Sequence, residues 1–290
     1  MSNKVYEILT EQIIEALEEG HIPWEKPWNG MSFAPKNMVS DKTYRGFNAM
    51  LTSFLSMRHG YKTNLWLSYK QVKDMGGEVK KGEKSCPIMY YKMLEKKDAS
   101  GEVEDTFPLL RYYRVFNLDQ TEGIEIPKSE EVELIDHTPK EVIDLKVMEY
   151  LVDGPKLEEQ LGDRAYYDGL KDLVMLPELG QFMSIEEYYG TLFHELAHST
   201  GHKTRLKRFG DGPVFFGNTE YAKEELVAEL SACFSLSHFG LTDRVIKNSK
   251  AYIRGWLKAL KSNPKWIVEA SSKAQKATEF VLGIDNNKGD

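Results

Sequence analysis

The sequence has little cysteine, no long apolar run and no low-complexity tract. Only Cys86 and Cys233 occur among 290 residues, far apart and each without a C-x-x-C partner. This excludes a disulfide framework and argues against a cysteine metal site. No apolar run approaches the length of a transmembrane helix. The first residues carry acids instead of a continuous apolar segment, so we expect no signal peptide, no membrane partner and a cytoplasmic location.

The charge of the chain is distributed unevenly. Hydrophobic residues make up 41% and charged residues 29%, a composition typical of a globular protein with a sizeable core. A net charge of −7 by itself opposes nucleic-acid binding. However, residues 41–97 hold 12 basic and 5 acidic side chains. The sequence therefore predicts a local basic patch in an acidic protein.

A polar, acidic stretch with two prolines divides the chain. We predict a first domain at residues 1–126, a linker at 127–142 and a second domain at 143–290. The expected fold class is α+β, in which a small α+β domain precedes a mainly helical domain with a small sheet.

Apolar spacing predicts the secondary structure of the first domain. Helices are predicted at residues 3–19 and 46–59, and strands at 79–93 and 111–117. The charged residues 96–106 between these strands predict a hairpin tip. In the second domain, short strands are predicted on either side of Asp168 and Gly169.

The most informative pattern is H-E-x-x-H, formed by His194, Glu195 and His198. Ser184, with Glu187 three residues later, predicts a helix start in the form of a capping box, and Gly201 predicts the helix end. Residues four apart share one face of a helix, so both imidazoles can bind one zinc ion. Glu195 then projects toward the same site as a general base. The alternative is a structural helix without a metal.

A third ligand is expected on the segment at residues 224–234. Glu225 and Glu229 are four apart and share a face beside an apolar stripe. We predict Glu225 as the third ligand and Glu229 as an acceptor for the non-ligating nitrogen of a ligand histidine. Glu224 and His202 remain alternatives for the third ligand. The metzincin pattern is excluded, because Thr204 stands where it requires histidine.

These residues predict the chemistry of a zinc peptidase. Zinc on His194, His198 and Glu225 would activate a water, and Glu195 would accept its proton during attack on a peptide carbonyl. Tyr221 is a candidate for stabilising the oxyanion. Histidine and carboxylate ligands also suit manganese, iron, cobalt and nickel, so another divalent transition metal can replace zinc.

Aromatic and basic residues interleave in the first domain. Single-stranded nucleic acid is bound by such mixtures, because cations contact phosphates and bases stack on aromatic rings. The alternative is that the aromatic residues belong to the core and the lysines to an ordinary surface. The candidate DNA contacts are Arg45, Asn48, Trp66, Tyr69, Lys70, Lys81, Lys84, Tyr113 and Arg114.

Several longer motifs follow one another along nearly the whole chain. In the first part they are Trp24-x-x-Pro27-Trp28, Tyr44-Arg45-Gly46-x-Asn48, Leu65-Trp66-Leu67-Ser68-Tyr69-Lys70-Gln71, Gly76-Gly77-x-Val79-x-Lys81-Gly82-Glu83-Lys84 and Tyr113-Arg114-Val115-Phe116-Asn117-x-Asp119-Gln120. In the second they are His194-Glu195-Leu196-Ala197-His198-Ser199-Thr200-Gly201-His202, Arg205-Leu206 and Tyr221-Ala222-Lys223-Glu224-Glu225-Leu226-Val227-Ala228-Glu229. Together these motifs resemble ArdC-type antirestriction proteins.

The resemblance implies a single-stranded-DNA-binding domain followed by a zincin-like, gluzincin-type metallopeptidase domain. It implies a protein of mobile elements that binds single-stranded DNA and protects incoming DNA from host restriction. Its peptide or protein substrate is unknown. One alternative is a DNA-coating protector whose metal site is structural or regulatory. Another is a metallopeptidase that acts on an unrelated protein. The charged segment at residues 95–107 has no assigned role.

Overall fold

A computed structural model of the chain describes residues 2–19, 35–97, 102–124, 139–209, 219–241 and 249–284. In the first half, the elements are α1 (Ser2–Glu18), β1 (Lys36–Asn37), α2 (Gly46–His59), β2 (Leu65–Ser68), α3 (Tyr69–Asp74), β3 (Glu78–Val79), β4 (Cys86–Lys97), β5 (Val103–Asn117) and β6 (Thr121–Glu122). In the second half, they are α4 (Pro139–Leu151), β7 (Lys156–Gln160), β8 (Tyr166–Asp168), β9 (Leu173–Pro177), α5 (Ile185–Thr200), α6 (Thr219–His238), α7 (Ser249–Ser262) and α8 (Lys265–Leu282). The predicted α+β class is confirmed.

A four-stranded sheet in the order β1-β2-β5-β4 forms the centre of the first half. The two longest strands, β4 and β5, pair antiparallel, and Cys86 lies opposite Val115 in the core. The predicted strand at residues 79–93 is wrong in its first half. Val79 belongs to a separate two-stranded sheet of β3 and β6, and Gly82, at φ 91°, forms the turn before β4 begins.

The hairpin of β4 and β5 is longer than predicted. Its strands extend to Lys97 and begin again at Val103, so both ends of the predicted tip at residues 96–106 are paired. Residues 98–101 lie outside the described residues. A charged sequence does not by itself exclude a strand, because antiparallel sheets commonly have one face in contact with water.

In the second half, β9 is the central strand of a small sheet ordered β7-β9-β8. The prediction of β8 and β9 around Asp168 and Gly169 is confirmed by their antiparallel pairing. Strand β7 was not predicted, because Lys156–Gln160 is mostly polar and lacks an alternating pattern. It pairs parallel to β9, lies at one edge of the sheet and exposes most of its side chains.

Helix α5 begins and ends where the sequence predicts. The Ser184 hydroxyl accepts a hydrogen bond from the Glu187 backbone N–H at 3.2 Å. Glu187 does not complete the predicted capping box, since its carboxylate accepts instead from the Met183 N–H at 3.1 Å. Gly201 ends the helix at φ −71°, which any residue can adopt. The Phe209 ring lies 2.7 Å from where a Cβ would stand, so a larger residue at position 201 would force this ring to move.

The largest apolar cluster joins the two halves of the chain. It contains Ile13 of α1, Phe47 of α2 and Trp66 of β2 together with Leu230 of α6 and Trp256 of α7. A second cluster joins α4, α5, α8 and the small sheet. The two predicted domains therefore share a core, and their division at residue 126 stays a prediction. None of the helices among the described residues is long and apolar enough to span a membrane.

The predicted linker at residues 127–142 is wrong at its C-terminal end. Residues 139–142 form the first turn of α4, and residues 125–138 lie outside the described residues. Pro139 is compatible with this position, because the first residues of a helix need no partner for their backbone N–H groups. Ile143, which begins the second predicted domain, is fully buried.

Asn48 of α2 closes part of the free edge of the four-stranded sheet. Its side-chain amide donates to the Met89 carbonyl oxygen at 2.8 Å, and its oxygen accepts from the Met89 N–H at 2.7 Å. Both backbone groups of Met89 point away from β5, so Asn48 takes the place of a neighbouring strand. This side chain thereby ties α2 to β4.

We predict that Asn48→Ala lowers the free energy of unfolding by about 1–3 kcal/mol, because it removes both partners of a partly buried backbone pair. Urea denaturation of the full chain measures this loss. Asn48→Asp keeps the acceptor for the Met89 N–H but places a carboxylate oxygen against the Met89 carbonyl oxygen, so it should also be less stable than the wild type. Equal stability of wild type and Asn48→Ala would show that water satisfies this edge instead.

Candidate metal centre and nucleic-acid interface

Helices α5 and α6 bring three predicted ligands together. The Nε2 atoms of His194 and His198 are 3.1 Å apart. Glu225 places one carboxylate oxygen 3.6 Å from the His194 Nε2 atom and the other 3.4 Å from the His198 Nε2 atom. Histidine, cysteine and acidic side chains are the usual metal ligands. Among the described residues, a cluster of such side chains close enough together to hold one ion is formed by His194, His198 and Glu225.

The spacing of these atoms fits a single metal ion. Ligand atoms bound tetrahedrally at about 2.0–2.1 Å lie about 3.3 Å from one another. The two histidine Nε2 atoms, 3.1 Å apart, are close to that separation, and a different Glu225 oxygen faces each of them at 3.4 and 3.6 Å. The side chains are 9–13% exposed, so the arrangement is a largely buried donor set of two imidazoles and one carboxylate.

Two further carboxylates face the outer nitrogens of the histidines. Glu229 lies 3.5 Å from the His194 Nδ1 atom, and its predicted role as a hydrogen-bond acceptor for a ligand histidine stays a prediction. Glu224 lies 3.5 Å from the His198 Nδ1 atom. Glu224 therefore lies at the Nδ1 side of the His198 ring, whereas the Nε2 side of the same ring faces the ligand group. The other alternative, His202, hydrogen-bonds Thr204 and lies outside the ligand group.

The acidic surroundings change the pKa values of the ligands. Burial alone would lower the pKa of His198, but its hydrogen bonds to Glu224 and Glu225 and the charge of Glu195 outweigh burial and raise it. Burial alone would raise the pKa of Glu225, but the two histidines and a hydrogen bond from Tyr221 lower it. Such shifts are those of a site that favours a cation.

The remaining predicted catalytic groups lie next to this donor set. Glu195 is 7% exposed, and its charge acts on His198. The Tyr221 side chain hydrogen-bonds Glu225, one helical turn further along α6. In this structure Tyr221 therefore holds a ligand carboxylate, and its predicted oxyanion role stays a prediction.

Six of the nine candidate DNA contacts lie on the surface of the first half. Tyr69 and Tyr113 are 55% and 48% exposed, respectively. The other four are also exposed: Lys70, Lys81, Lys84 and Arg114. Arg114 packs its guanidinium 5.7 Å from the centre of the Tyr112 ring and donates to the Ser85 hydroxyl.

The other three candidates have different surroundings. Trp66 as a base-stacking residue is wrong, because its ring is only 1% exposed and lies in the shared core. Asn48 uses its amide on the backbone of β4, as described above, and so is not free to bind a base. Arg45 is exposed but forms an ion pair with Glu279 of α8.

Tyr90 is a surface residue that the candidate set lacks. Its ring packs edge-to-face on the Tyr113 ring, with 5.7 Å between centroids, and is 40% exposed. In the register of β4 and β5, Tyr90 lies opposite Arg111 and Tyr113 opposite Ile88. Alternation along paired strands places these four side chains on one face. That alternation could have identified Tyr90 from the sequence once the register was known.

Two protein-family models match this chain, one in each half. The N-terminal domain of the anti-restriction factor ArdC matches residues 3–116. A zincin-like metallopeptidase domain, of the MPTase-PolyVal type, matches residues 151–273 and so includes the ligand group of α5 and α6.

Curated relatives match the chain at similar identity but differ in length. A DNA primase TraC from Escherichia coli is 34% identical over 98% of this chain, yet the chain spans only 20% of that protein. A second TraC is 33% identical, with 27% of its length covered. The uncharacterized protein y4eC from Sinorhizobium fredii (strain NBRC 101917 / NGR234) is 31% identical, with 96% of this chain and 91% of that protein covered.

Two crystal structures of the antirestriction ArdC protein from the R388 plasmid have the same fold. The metal-free structure has a TM-score of 0.75 and 32% identity, and the match covers 95% of this chain and 96% of that one. The Mn(II)-bound structure has a TM-score of 0.77 and 31% identity, with 98% of both chains covered. Because both halves match in order and over nearly the full length, this chain belongs to the ArdC antirestriction family.

Proposed function

We propose that this protein binds single-stranded DNA and carries a divalent-metal centre that hydrolyses peptide bonds, and that it protects incoming DNA of a mobile element. The convergence of His194, His198 and Glu225 beside Glu195 carries the hydrolytic part of the proposal. A metal site that served only the fold would not need a buried carboxylate between its two histidines. Glu195 therefore favours hydrolysis over a purely structural site.

The residues of the centre have distinct roles in this mechanism. When bound, a divalent ion supplies a Lewis acid that acidifies a water molecule and polarises a carbonyl group. His194, His198 and Glu225 would hold the ion, and Glu229 would orient His194 through its Nδ1 atom. Glu195 takes a proton from the attacking water and returns it to the leaving amine.

Zinc is the metal that we propose for this centre. Two histidines and a glutamate with an open fourth position are a common donor set of catalytic zinc. Manganese, iron, cobalt and nickel accept the same ligands, and the related R388 protein has been crystallised with Mn(II). We therefore expect a divalent ion in every case, with zinc as the first choice.

The DNA-binding surface that we propose lies on the β4–β5 hairpin and the turn before it. Tyr90 and Tyr113 offer exposed rings for base stacking, and Arg111 lies across from Tyr90 on the same face. Exposed lysines, Lys81 and Lys84, lie at the turn that precedes β4. Rings that accept bases beside cations that contact phosphates are what sequence-independent single-strand binding requires.

We predict that Glu195→Gln keeps the bound ion and loses peptide hydrolysis by about 10²–10⁴-fold, since only the general base is removed. Metal content is measured by mass spectrometry of the purified full chain, and hydrolysis with a mixed peptide library. Glu225→Gln is the matched change in a ligand and should lose the ion as well. Cleavage by metal-loaded Glu195→Gln would contradict the mechanism. A metal-loaded wild type that cleaves nothing would favour the DNA-coating alternative.

We predict that Tyr90→Ala and Tyr113→Ala each weaken binding of a single-stranded oligonucleotide by about 5–150-fold, because a stacked base contributes about 1–3 kcal/mol. Fluorescence anisotropy at several salt concentrations measures the affinity. Removal of Lys81 should also reduce the dependence on salt, because one phosphate contact is lost.

Tyr166→Ala provides the control for these variants. Tyr166 is 41% exposed, as Tyr90 is, but it lies on β8 in the second half. Its removal should leave DNA affinity unchanged. Equal affinities for wild type, Tyr90→Ala and Tyr113→Ala would move the DNA site away from the hairpin.

A further inference from the structure

Two buried arginines follow the helix that carries the histidine ligands. The side chains of Arg205 and Arg208 are only 3% and 6% exposed, respectively. Both donate to backbone carbonyl groups in the last turn of α5, and both pair with a carboxylate from another part of the chain. Arginine is rarely buried without such pairing. The carboxylate that each arginine pairs with therefore identifies the group that the arginine holds in place.

Arg208 has its carboxylate partner in Glu224 of α6. Its Nε and Nη2 atoms donate to the two oxygens of Glu224 at 3.1 and 2.6 Å. The remaining donors reach the Ala197 carbonyl oxygen at 2.6 Å and the Thr200 hydroxyl at 2.5 Å. The guanidinium therefore fixes Glu224 against α5, the helix of the histidines.

The carboxylate that Arg208 fixes contacts a metal ligand. Glu224 Oε1 lies 3.5 Å from the Nδ1 atom of His198, whose Nε2 atom faces the ligand group. A carboxylate in this position favours the imidazole tautomer with a proton on Nδ1 and leaves Nε2 available to the metal. His198 is thus connected to Arg208 through a single intermediate side chain.

We propose that Arg208 is a positioning residue of the metal centre, which acts through Glu224 to fix the orientation and tautomer of His198. This inference rests on the proposed function, because it assumes that His198 binds a metal ion. It assigns a role to Glu224 that differs from the ligand role considered from the sequence. The planar guanidinium is needed because its two donors hold both oxygens of Glu224 at once.

Charge explains why Glu224 needs this partner. Glu195, Glu225 and Glu229 are each only 7% exposed and lie in the same region. A further buried carboxylate there lowers stability unless a cation lies beside it. Arg208 supplies that cation through its pair with Glu224. Its position 16 residues before Glu224 in sequence explains why spacing rules do not reveal the pair.

Arg205 provides a matched control on the same segment. It forms a bidentate pair with Asp172, donates to the Ser199 carbonyl oxygen at 2.8 Å and contacts the Tyr167 hydroxyl. This network ties the end of α5 to β8 and to the turn before β9. Neither Asp172 nor Tyr167 belongs to the ligand group. Loss of the Arg205 side chain should therefore lower the stability of the fold but leave the orientation of His198 unchanged.

The test measures Zn²⁺ and Co²⁺ affinity of the full chain by competition with a chromophoric chelator. We expect Arg208→Gln to weaken metal binding about 10–100-fold, the usual loss when a group that orients a ligand is removed. The visible absorption of bound Co²⁺ should also change, because the geometry around the ion is altered. Arg205→Gln should keep both the affinity and the spectrum, even where its thermal stability falls.

A double-variant comparison separates positioning from folding. If Arg208 acts through Glu224, Arg208→Gln combined with Glu224→Gln should bind metal no more weakly than the weaker single variant. Additive losses would overturn the inference. Arg208→Lys, which keeps the charge but not the paired donors, should show an intermediate loss and serves if Arg208→Gln does not fold. If the single variants Arg208→Lys and Glu224→Gln each bound metal with wild-type affinity, the inference would also be overturned.

The outcomes distinguish this inference from the proposed function. A wild type that binds no divalent ion overturns both. A wild type that binds the ion with normal affinity, together with an Arg208→Gln variant that binds it equally well, overturns the role of Arg208 alone.

Discussion

Burial of charge around two imidazoles is the constraint on which this structure depends. Four carboxylates, those of Glu195, Glu224, Glu225 and Glu229, lie in or beside one largely buried pocket. Carboxylates in such a place are tolerated only with cations and hydrogen-bond donors beside them. These carboxylates are stabilised by the two histidines, by hydrogen-bond donors on Tyr221 and Arg208, and by the proposed metal ion. Their positions in turn require α5 and α6 to cross where they do.

One shared core holds this pocket and the proposed DNA surface in the same molecule. Helix α8 packs on α6, where the Thr278 and Ser231 hydroxyls are 3.1 Å apart. At its other contacts, Gln275 accepts from the Gly46 backbone N–H and Glu279 pairs with Arg45, both at the start of α2. The first half therefore depends on a C-terminal helix, although the motifs of each half are separate along the chain.

The sequence predicted well those features that depend on local spacing. The i, i+4 spacing of His194 and His198, the cap at Ser184 and the pair Glu225 and Glu229 led to the correct helices and to a ligand group that the structure brings together. Predictions about which side chains are exposed were weaker. Trp66 and Tyr113 both lie on strands of the same sheet, yet one is buried and the other exposed. Alternation along a strand separates two faces, but it does not say which of them other elements cover.

The sequence by itself determined the α+β class, the family and the residue types of the metal centre, because these follow from motifs and from periodicity within single elements. Only the tertiary structure places Glu225, and neither Glu224 nor His202, close to the Nε2 atoms of both histidines. Neighbouring residues on a helix point about 100° apart, so the crossing of α5 and α6 selects Glu225 for the ligand side and turns Glu224 toward Arg208. Contacts between segments distant in sequence, such as Arg208 with Glu224 or Asn48 with Met89, leave no periodic signal and are fixed only when the chain packs.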